Sequence, residues 1–117
     1  MLTALLADIH EHDYISPARV SRRLRVPMAE LAKITHVHRN TLSQRPSAAL
    51  VQKSLEPIVR ILTAAEELTG DADRAIVWFR HQPIAGHGGR TAIELVEQGH
   101  AAAVLAHLDD LRDGNYA

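Results

Sequence analysis

The C-terminal stretch of the chain, residues 78–117, limits the possible folds more than any other segment. It holds three of the four aromatic residues, Trp78, Phe79 and Tyr116, and a loop in which three of the four residues 86–89 are glycine. Two short segments with helical spacing follow the loop, and a glycine closes each of them. The stretch therefore predicts two short helices followed by a free end.

The ends of these two helices have recognisable local chemistry. Thr91 can cap the first helix, because Glu94 lies three residues on and can accept from the cap's own N–H. Gly99 supplies the left-handed residue that ends this helix, and Gly114 ends the next one. The second helix carries one apolar stripe, formed by Ala101, Val104, Leu105, Leu108 and Leu111.

This ordered set of features resembles the C-terminal toxin-binding domain of the Xre/MbcA/ParS antitoxins. The resemblance rests on Trp78-Phe79, the Pro83–Gly89 loop, Thr91 with Ile93-Glu94-Leu95, Gly99, the apolar helix and the ending Gly114-Asn115-Tyr116-Ala117. It implies that the last helices and the tail bind a RES-domain toxin and block its NAD-binding cleft. It also implies a helix-turn-helix half through which the complex represses its own operon.

The tail residues Asn115, Tyr116 and Ala117 are the first candidates for toxin contact. Tyr116 combines a large apolar ring with a hydroxyl that can form a hydrogen bond at the bottom of a pocket. The alternative is a frayed chain end. Three acids before the tail, Asp109, Asp110 and Asp113, are either a surface for a basic partner or a solvated acidic face.

The charge of the chain is unevenly distributed, which suggests two surfaces with different partners. Residues 16–55 contain eight Lys and Arg residues and one acid, whereas residues 56–117 contain ten acids and five bases.

The chain has no cysteine, no basic stretch before the apolar residues at its N-terminus and no apolar run of membrane-spanning length. We expect a cytoplasmic protein that does not enter the membrane.

Three helices are predicted in the first 35 residues. Leu2, Leu5, Leu6 and Ile9 mark a short amphipathic opening helix. Ser16-Pro17 is typical of an N-cap followed by the first helical residue, with Val20 and Leu24 on the buried side. Val26 is disfavoured in a helix before Pro27, so a third helix is expected to start near Pro27.

Residues 27–45 have the organisation of a helix-turn-helix. Met28, Leu31 and Ala32 are expected to pack inward, Thr35-His36-Val37 to form the turn, and Leu42 to anchor the second helix. The outward side chains of that helix can bond base edges in a major groove. The predicted DNA-binding residues are His38, Arg39, Asn40, Thr41, Gln44, Arg45, Arg22 and Arg23. The alternative is an ordinary helical hairpin with a solvated face.

A central helix and a shorter one are predicted between the two halves. With Ser54 as the N-cap of a new helix, Pro57 falls in its first turn, where a missing N–H costs no intrahelical bond. This helix is apolar on more than one side, so it is either central or shared with a partner. Gly70 ends it, Asp71 and Asp73 open the next, and the buried edge of that next helix is Ala72, Ala75, Ile76 and Phe79.

No segment alternates apolar and polar residues, so an all-α fold is predicted. We expect a helix-turn-helix DNA-binding region at residues 1–54, packed with a dimerisation and toxin-binding domain at residues 55–117. The eight histidines lack the spacing of a metal site, and no catalytic set is recognisable. The glycine-rich loop lacks the strand and lysine of a phosphate loop. Neither an enzyme nor a cofactor or metal is expected.

Three functional hypotheses are compatible with these patterns. The first is an antitoxin that dimerises through its central helices, binds operator DNA and occludes a RES-domain toxin with its tail. The second is a stand-alone helix-turn-helix transcriptional regulator without a toxin. The third is a protein-interaction module whose helix-turn-helix no longer binds DNA.

Overall fold

Helices make up most of residues 3–114, the part of the chain that the computed structural model describes. In chain order the elements are α1 (Ala4–Ile9), β1 (His10–Glu11), β2 (Tyr14–Ile15), α2 (Pro17–Leu24), α3 (Met28–Thr35), α4 (Arg39–Gln44), α5 (Ala49–Thr69), α6 (Ala72–His81), α7 (Ala92–Glu97) and α8 (Ala101–Arg112). The predicted all-α fold class is confirmed, since each of the two strands has only 2 residues.

The small hairpin between α1 and α2 is a feature that the sequence patterns did not predict. His10 pairs with Ile15 and Glu11 with Tyr14, in antiparallel register. Gln52 of α5 stabilises the second strand: its amide donates to the carbonyl oxygen of Ile15 at 2.7 Å, and its own oxygen accepts from the N–H of Ile15 at 2.9 Å. The expectation of no strand was wrong here, because each strand is only 2 residues long, too short to show an alternating pattern, and Gln52, which bonds to the second strand, lies 37 residues away in the chain.

The central helix α5 runs without a break through Pro57. The prediction that Ser54 caps a new helix was therefore wrong; its hydroxyl donates to the carbonyl oxygen of Val51, one turn earlier, at 2.6 Å. A proline inside a helix costs about 3 kcal/mol. Leu55 and Ile58, on either side of Pro57, are fully buried, and each such burial stabilises by about 1.5–3 kcal/mol. Tertiary burial thus offsets the local cost of the proline.

One apolar core surrounds α5. Helices α6 and α8 make the most extensive contacts with it, and α1 also packs against it. The expected boundary between residues 54 and 55 falls inside α5, and buried residues on both sides of it belong to the same cluster. The two expected regions therefore share a core helix.

Several helix ends follow the predicted local chemistry. Ser16 caps α2, its Oγ accepting from the N–H of Arg19 at 3.2 Å, with Pro17 as the first helical residue. Gly70 ends α5 in the left-handed conformation, with φ 75°. Asp71 caps α6, its Oδ1 accepting from the N–H of Asp73 at 2.9 Å. The four residues predicted for the buried edge of α6, namely Ala72, Ala75, Ile76 and Phe79, are all buried.

Within residues 3–114, no helix combines the length and the apolar character that a bilayer crossing demands.

Candidate functional surfaces

Helices α3 and α4 are joined by the predicted turn, and α2 packs against both of them. His36 in the turn adopts the left-handed conformation, with φ 60°. Thr35 Oγ1 donates to the carbonyl oxygen of Leu31 at 2.8 Å and accepts from the N–H of Val37 at 3.3 Å. Thr35 and Val37 are buried. Thr35 thus bonds to the last turn of α3 and to the turn itself, and the buried Val37 joins the turn to the core.

The outer face of α4 carries most of the residues predicted to contact DNA. Leu42 is 1 % exposed and anchors the helix from behind. His38 caps the helix, its Nδ1 accepting from the N–H of Asn40 at 3.1 Å. Thr41 is half-buried, and the remaining predicted residues are exposed: His38, Arg39, Asn40, Gln44 and Arg45. This face is polar and carries no acidic side chain.

Arg22 and Arg23 were predicted together, but they occupy different environments. Arg22 is exposed. Arg23 Nη1 lies 2.8 Å from Asp73 Oδ1, and its Nε lies 3.3 Å from Asp8 Oδ2. The hydrogen bond to Asp73, followed by the charges of Asp73 and Asp8, raises the pKa of Arg23. Arg23 thus joins α1, α2 and α6, and its charge is already balanced within the fold.

The loop between α6 and α7 is closed by its own main chain. The N–H of Ile84 donates to the carbonyl oxygen of Arg90 at 2.8 Å, and Pro83 bridges Thr91. Ile84 is 2 % exposed and fixes the start of the loop in the core. Its three glycines, Gly86, Gly88 and Gly89, all have positive φ. Glycine adopts positive φ without steric cost, so these three residues allow the loop to take this conformation.

The predicted capping box at the start of α7 is confirmed. Glu94 Oε1 accepts from the N–H of Thr91 at 3.0 Å, and Thr91 Oγ1 accepts from the N–H of Glu94 at 3.3 Å. The main-chain bond from Thr91, followed by the bond from its hydroxyl, lowers the pKa of Glu94. After α7, Gly99 has φ 85° and turns the chain into α8.

The acidic end of α8 lies on the surface. Asp109, Asp110 and Asp113 are exposed, and Arg112 lies 3.1 Å from Asp109 Oδ1 and 3.9 Å from Asp113 Oδ1. One cation is therefore shared by two of the three predicted acids, and the end of α8 remains net acidic. The predicted tail residues, Asn115, Tyr116 and Ala117, lie outside the residues that the structure describes.

The turn of the α3–α4 unit contacts the C-terminal half of the chain directly. Helix α3 packs against α7, and Nε2 of His36 lies 2.6 Å from the main-chain carbonyl oxygen of Glu97. Sequence patterns did not suggest this contact. A histidine at a helix C-terminus is a common feature, and its partner is 61 residues away in the chain.

Two further arginines were not predicted as site residues. Arg25, in the left-handed conformation at the end of α2, and Arg80 of α6 line one surface cleft between these helices. The local basic density of residues 16–55 includes Arg25, but Arg80 comes from the acidic half of the chain. Only the packing of α6 against α2 brings the two together.

Within residues 3–114, no group of three or more histidine or acidic residues is placed to hold a metal ion.

Comparison with known proteins identifies the C-terminal half. No curated protein matches the chain significantly. Residues 64–114 match the family model described as the antitoxin Xre/MbcA/ParS C-terminal toxin-binding domain. The matched segment begins in the last turns of α5 and contains α6, the glycine loop, α7 and α8. Residues 64–114 therefore belong to the Xre/MbcA/ParS toxin-binding domains, and they support the role of an antitoxin in a toxin–antitoxin system.

Proposed function

We propose that this chain is the antitoxin of a RES-domain toxin, that it inhibits the toxin by occluding its NAD-binding cleft, and that it represses its own operon by binding DNA. The observation that carries the proposal is the match of residues 64–114 to a toxin-binding domain, in a chain whose other half presents a polar, acid-free helix face. The RES-domain partner is inferred from the resemblance of the C-terminal sequence to this family.

Toxin inhibition is assigned to the tail and the acidic end of α8. In the sequence, Asn115, Tyr116 and Ala117 come shortly after Asp109, Asp110 and Asp113. In the proposed complex the tyrosine ring fills the toxin's cleft while the exposed aspartates face basic residues at its rim. Rim charges chiefly affect association rates, whereas a buried aromatic anchor dominates affinity.

DNA binding is assigned to the α3–α4 unit. Base contacts come from the exposed side chains of α4, with Arg39 as the side chain best suited to guanine. Arg22 and Arg45 add phosphate contacts. Arg23 is already paired with Asp8 and Asp73, so its role is to hold α2 in position. A homodimer, with half-sites about 34 Å apart or a multiple of that distance, completes the proposed operator complex.

The decisive experiment is a growth test with the open reading frame next to the gene of this chain. We expect that frame to be toxic when expressed alone, and co-expression of the full chain to restore growth. A chain cut after Gly114 should fold but fail to restore growth, because it lacks the proposed plug. Tyr116→Ala in the full chain is the matched variant, since it keeps the chain length and removes only the proposed plug, and we expect it to fail to restore growth as well.

Each other outcome favours a different account. Rescue by both the full and the cut chain keeps the antitoxin role but moves inhibition onto α6–α8. A harmless neighbour together with specific operator binding favours the stand-alone regulator. Equal, weak and salt-insensitive binding to operator and random DNA favours an interaction module without DNA binding. An NAD assay on the purified toxin, with and without the chain, tests occlusion of the NAD-binding cleft.

A further inference from the structure

We propose that Arg25 and Arg80 form a second phosphate-binding site for DNA, in the cleft between α2 and α6, so that the toxin-binding domain itself holds the DNA backbone. The inference rests on the DNA-binding role proposed above. It goes further, because it gives a DNA contact to Arg80, which lies inside the segment that matches the toxin-binding family.

The cleft is lined by residues from both halves of the chain. Its basic residues are the three arginines Arg23, Arg25 and Arg80 together with His81, its acid is Asp73, and its apolar residues are Ile76 and Val77. Arg23 is paired with that acid at 2.8 Å. Among the residues that the structure describes, neither Arg25 nor Arg80 has an ion-pair partner. The cleft thus presents two guanidinium groups whose charge is not balanced.

Arg25 links this cleft to a second basic surface. The adjacent depression is lined by Asp8, Arg19, Arg22, Arg23 and Arg25. Arg19 lies 3.6 Å from Glu11, and Asp8 contacts Arg23, so both acids near this surface already face a cation. Arg22 and Arg25 remain on the outer side. The two surfaces together form a basic track that runs from the end of α2 to α6.

The position of Arg25 in the chain places one end of this track close to the start of α3. In helix-turn-helix complexes the first helix of the motif crosses the phosphate backbone. Here that helix is α3, which begins at Met28, three residues after Arg25. Three residues of extended chain span at most about 11 Å. DNA carries one phosphate per about 3.4 Å of helix axis on each strand, so a duplex seated on α3 and α4 brings several phosphates to this distance.

The lining chemistry favours a phosphodiester backbone over a free anion. Two arginines can each donate paired N–H groups to phosphate oxygens. Val77 lines the cleft and is 58 % exposed, so it offers an apolar surface to a sugar. Asp73 also lines the cleft, and its Oδ1 accepts a hydrogen bond from Arg23. Contacts of this kind hold DNA without reading its sequence.

The test is the salt dependence of binding to two labelled duplexes, the operator from the chain's own promoter and a random sequence of equal length. Arg25→Asn removes one charge and suits the left-handed backbone; Arg80→Gln removes the other. Each should reduce the slope of log Kobs against log salt by about 0.9 on both duplexes, and the double variant by about twice that amount. Arg60→Gln is the matched control, because Arg60 is exposed on α5 and lines neither cleft. Circular dichroism and thermal unfolding verify that each variant is folded.

The outcomes separate this inference from the function on which it rests. If the wild-type chain binds neither duplex, both the DNA-binding proposal and this inference are wrong. If the wild type shows a steep salt slope that the Arg25 and Arg80 variants leave unchanged, only the inference is wrong. Unchanged DNA binding with weaker binding to the purified toxin would assign the cleft to an acidic protein surface instead. A reduction of the salt slope that is seen with the operator duplex and not with the random duplex would contradict a phosphate contact.

Discussion

Nε2 of His36 lies 2.6 Å from the main-chain carbonyl oxygen of Glu97, and this contact ties the turn of the α3–α4 unit to the end of α7. The imidazole forms a hydrogen bond with this carbonyl oxygen, which has no partner within α7 because it lies in the last turn of the helix. The same histidine holds a left-handed backbone conformation, with φ 60°. One residue therefore contributes both a turn and a link between the two halves of the chain.

Replacing His36 should separate these two contributions. His36→Ala removes the hydrogen bond and leaves a side chain that disfavours the left-handed region, so we expect a loss of about 1–2 kcal/mol in the free energy of unfolding. His36→Gly removes the same bond but relieves the backbone, so its loss should be smaller. Urea unfolding of both variants measures the difference. Wild-type stability in both would mean that the contact with Glu97 contributes nothing.

Arg22 and Arg23 should respond differently to the same substitution. Arg23→Met removes its ion pairs with Asp8 and Asp73, which are worth about 0.2–1 kcal/mol each at this exposure, and should lower the free energy of unfolding. Arg22→Met should leave stability unchanged and reduce the salt slope of DNA binding by about 0.9. Unfolding curves and DNA titrations on both variants test this. A larger stability loss for Arg22 than for Arg23 would contradict the pairing.

The capping box of α7 makes stability depend on pH in the acid range. The pKa of Glu94 is lowered in the folded state by the N–H and the hydroxyl of Thr91. The stabilisation is therefore fully present above the ordinary glutamate pKa, about 4.3, and is lost as pH falls through the lower folded value. We expect the stability difference between wild type and Glu94→Gln to shrink over this range. A titration of the Glu94 carboxyl by NMR measures the shift directly.

Removing the hydroxyl that caps α7 provides the control for that pH effect. Thr91→Ala should cost about 1 kcal/mol of stability. It should also move the pKa of Glu94 back toward its ordinary value, because one of its two donors from Thr91 is gone. If the pKa of Glu94 in Thr91→Ala equals its value in the wild type, the main-chain N–H alone lowers it.

Pro57 is a site where a substitution should stabilise the chain. Alanine is favoured over proline in a helix interior by up to about 3 kcal/mol, because it restores the N–H that bonds the carbonyl four residues earlier. Without the proline the unfolded chain has more conformational freedom, and this reduces the gain in stability by about 0.4–1 kcal/mol. Pro57→Ala should therefore raise the midpoint of thermal unfolding. A lower midpoint would mean that the half-buried proline ring packs too well to be replaced.

Arg39 tests whether α4 reads bases. If its guanidinium contacts a guanine edge, Arg39→Ala should cost about 1–3 kcal/mol on the operator and relax the preference at one base position. Competition titrations with single-base operator variants measure this. A uniform loss on all sequences would assign Arg39 to a phosphate, and Lys53→Ala, on the exposed side of α5, serves as the charge-matched control.

Local chemistry allowed the sequence to predict many of the helix ends. Ser16 with Pro17, Asp71, and Thr91 with Glu94 each bond to a partner within three residues, so their partners are visible in the sequence itself. The turn at His36 was predicted from the helix-turn-helix organisation of residues 27–45, and in the structure Thr35 bonds to Leu31 and to Val37. Such interactions join residues that are close in the chain, so their sequence signals can be recognised before the fold is known.

Tertiary structure decided the features whose partners lie far away in the chain. The second strand needs Gln52, Arg23 needs Asp73, and His36 needs Glu97, at separations of 37, 50 and 61 residues. The continuity of α5 through Pro57 has the same origin, since local propensity favours a break and only burial against α6 and α8 outweighs it. Sequence alone therefore determined where most helices begin and end, whereas packing between distant helices decided which charges are paired and which arginines remain exposed to a partner.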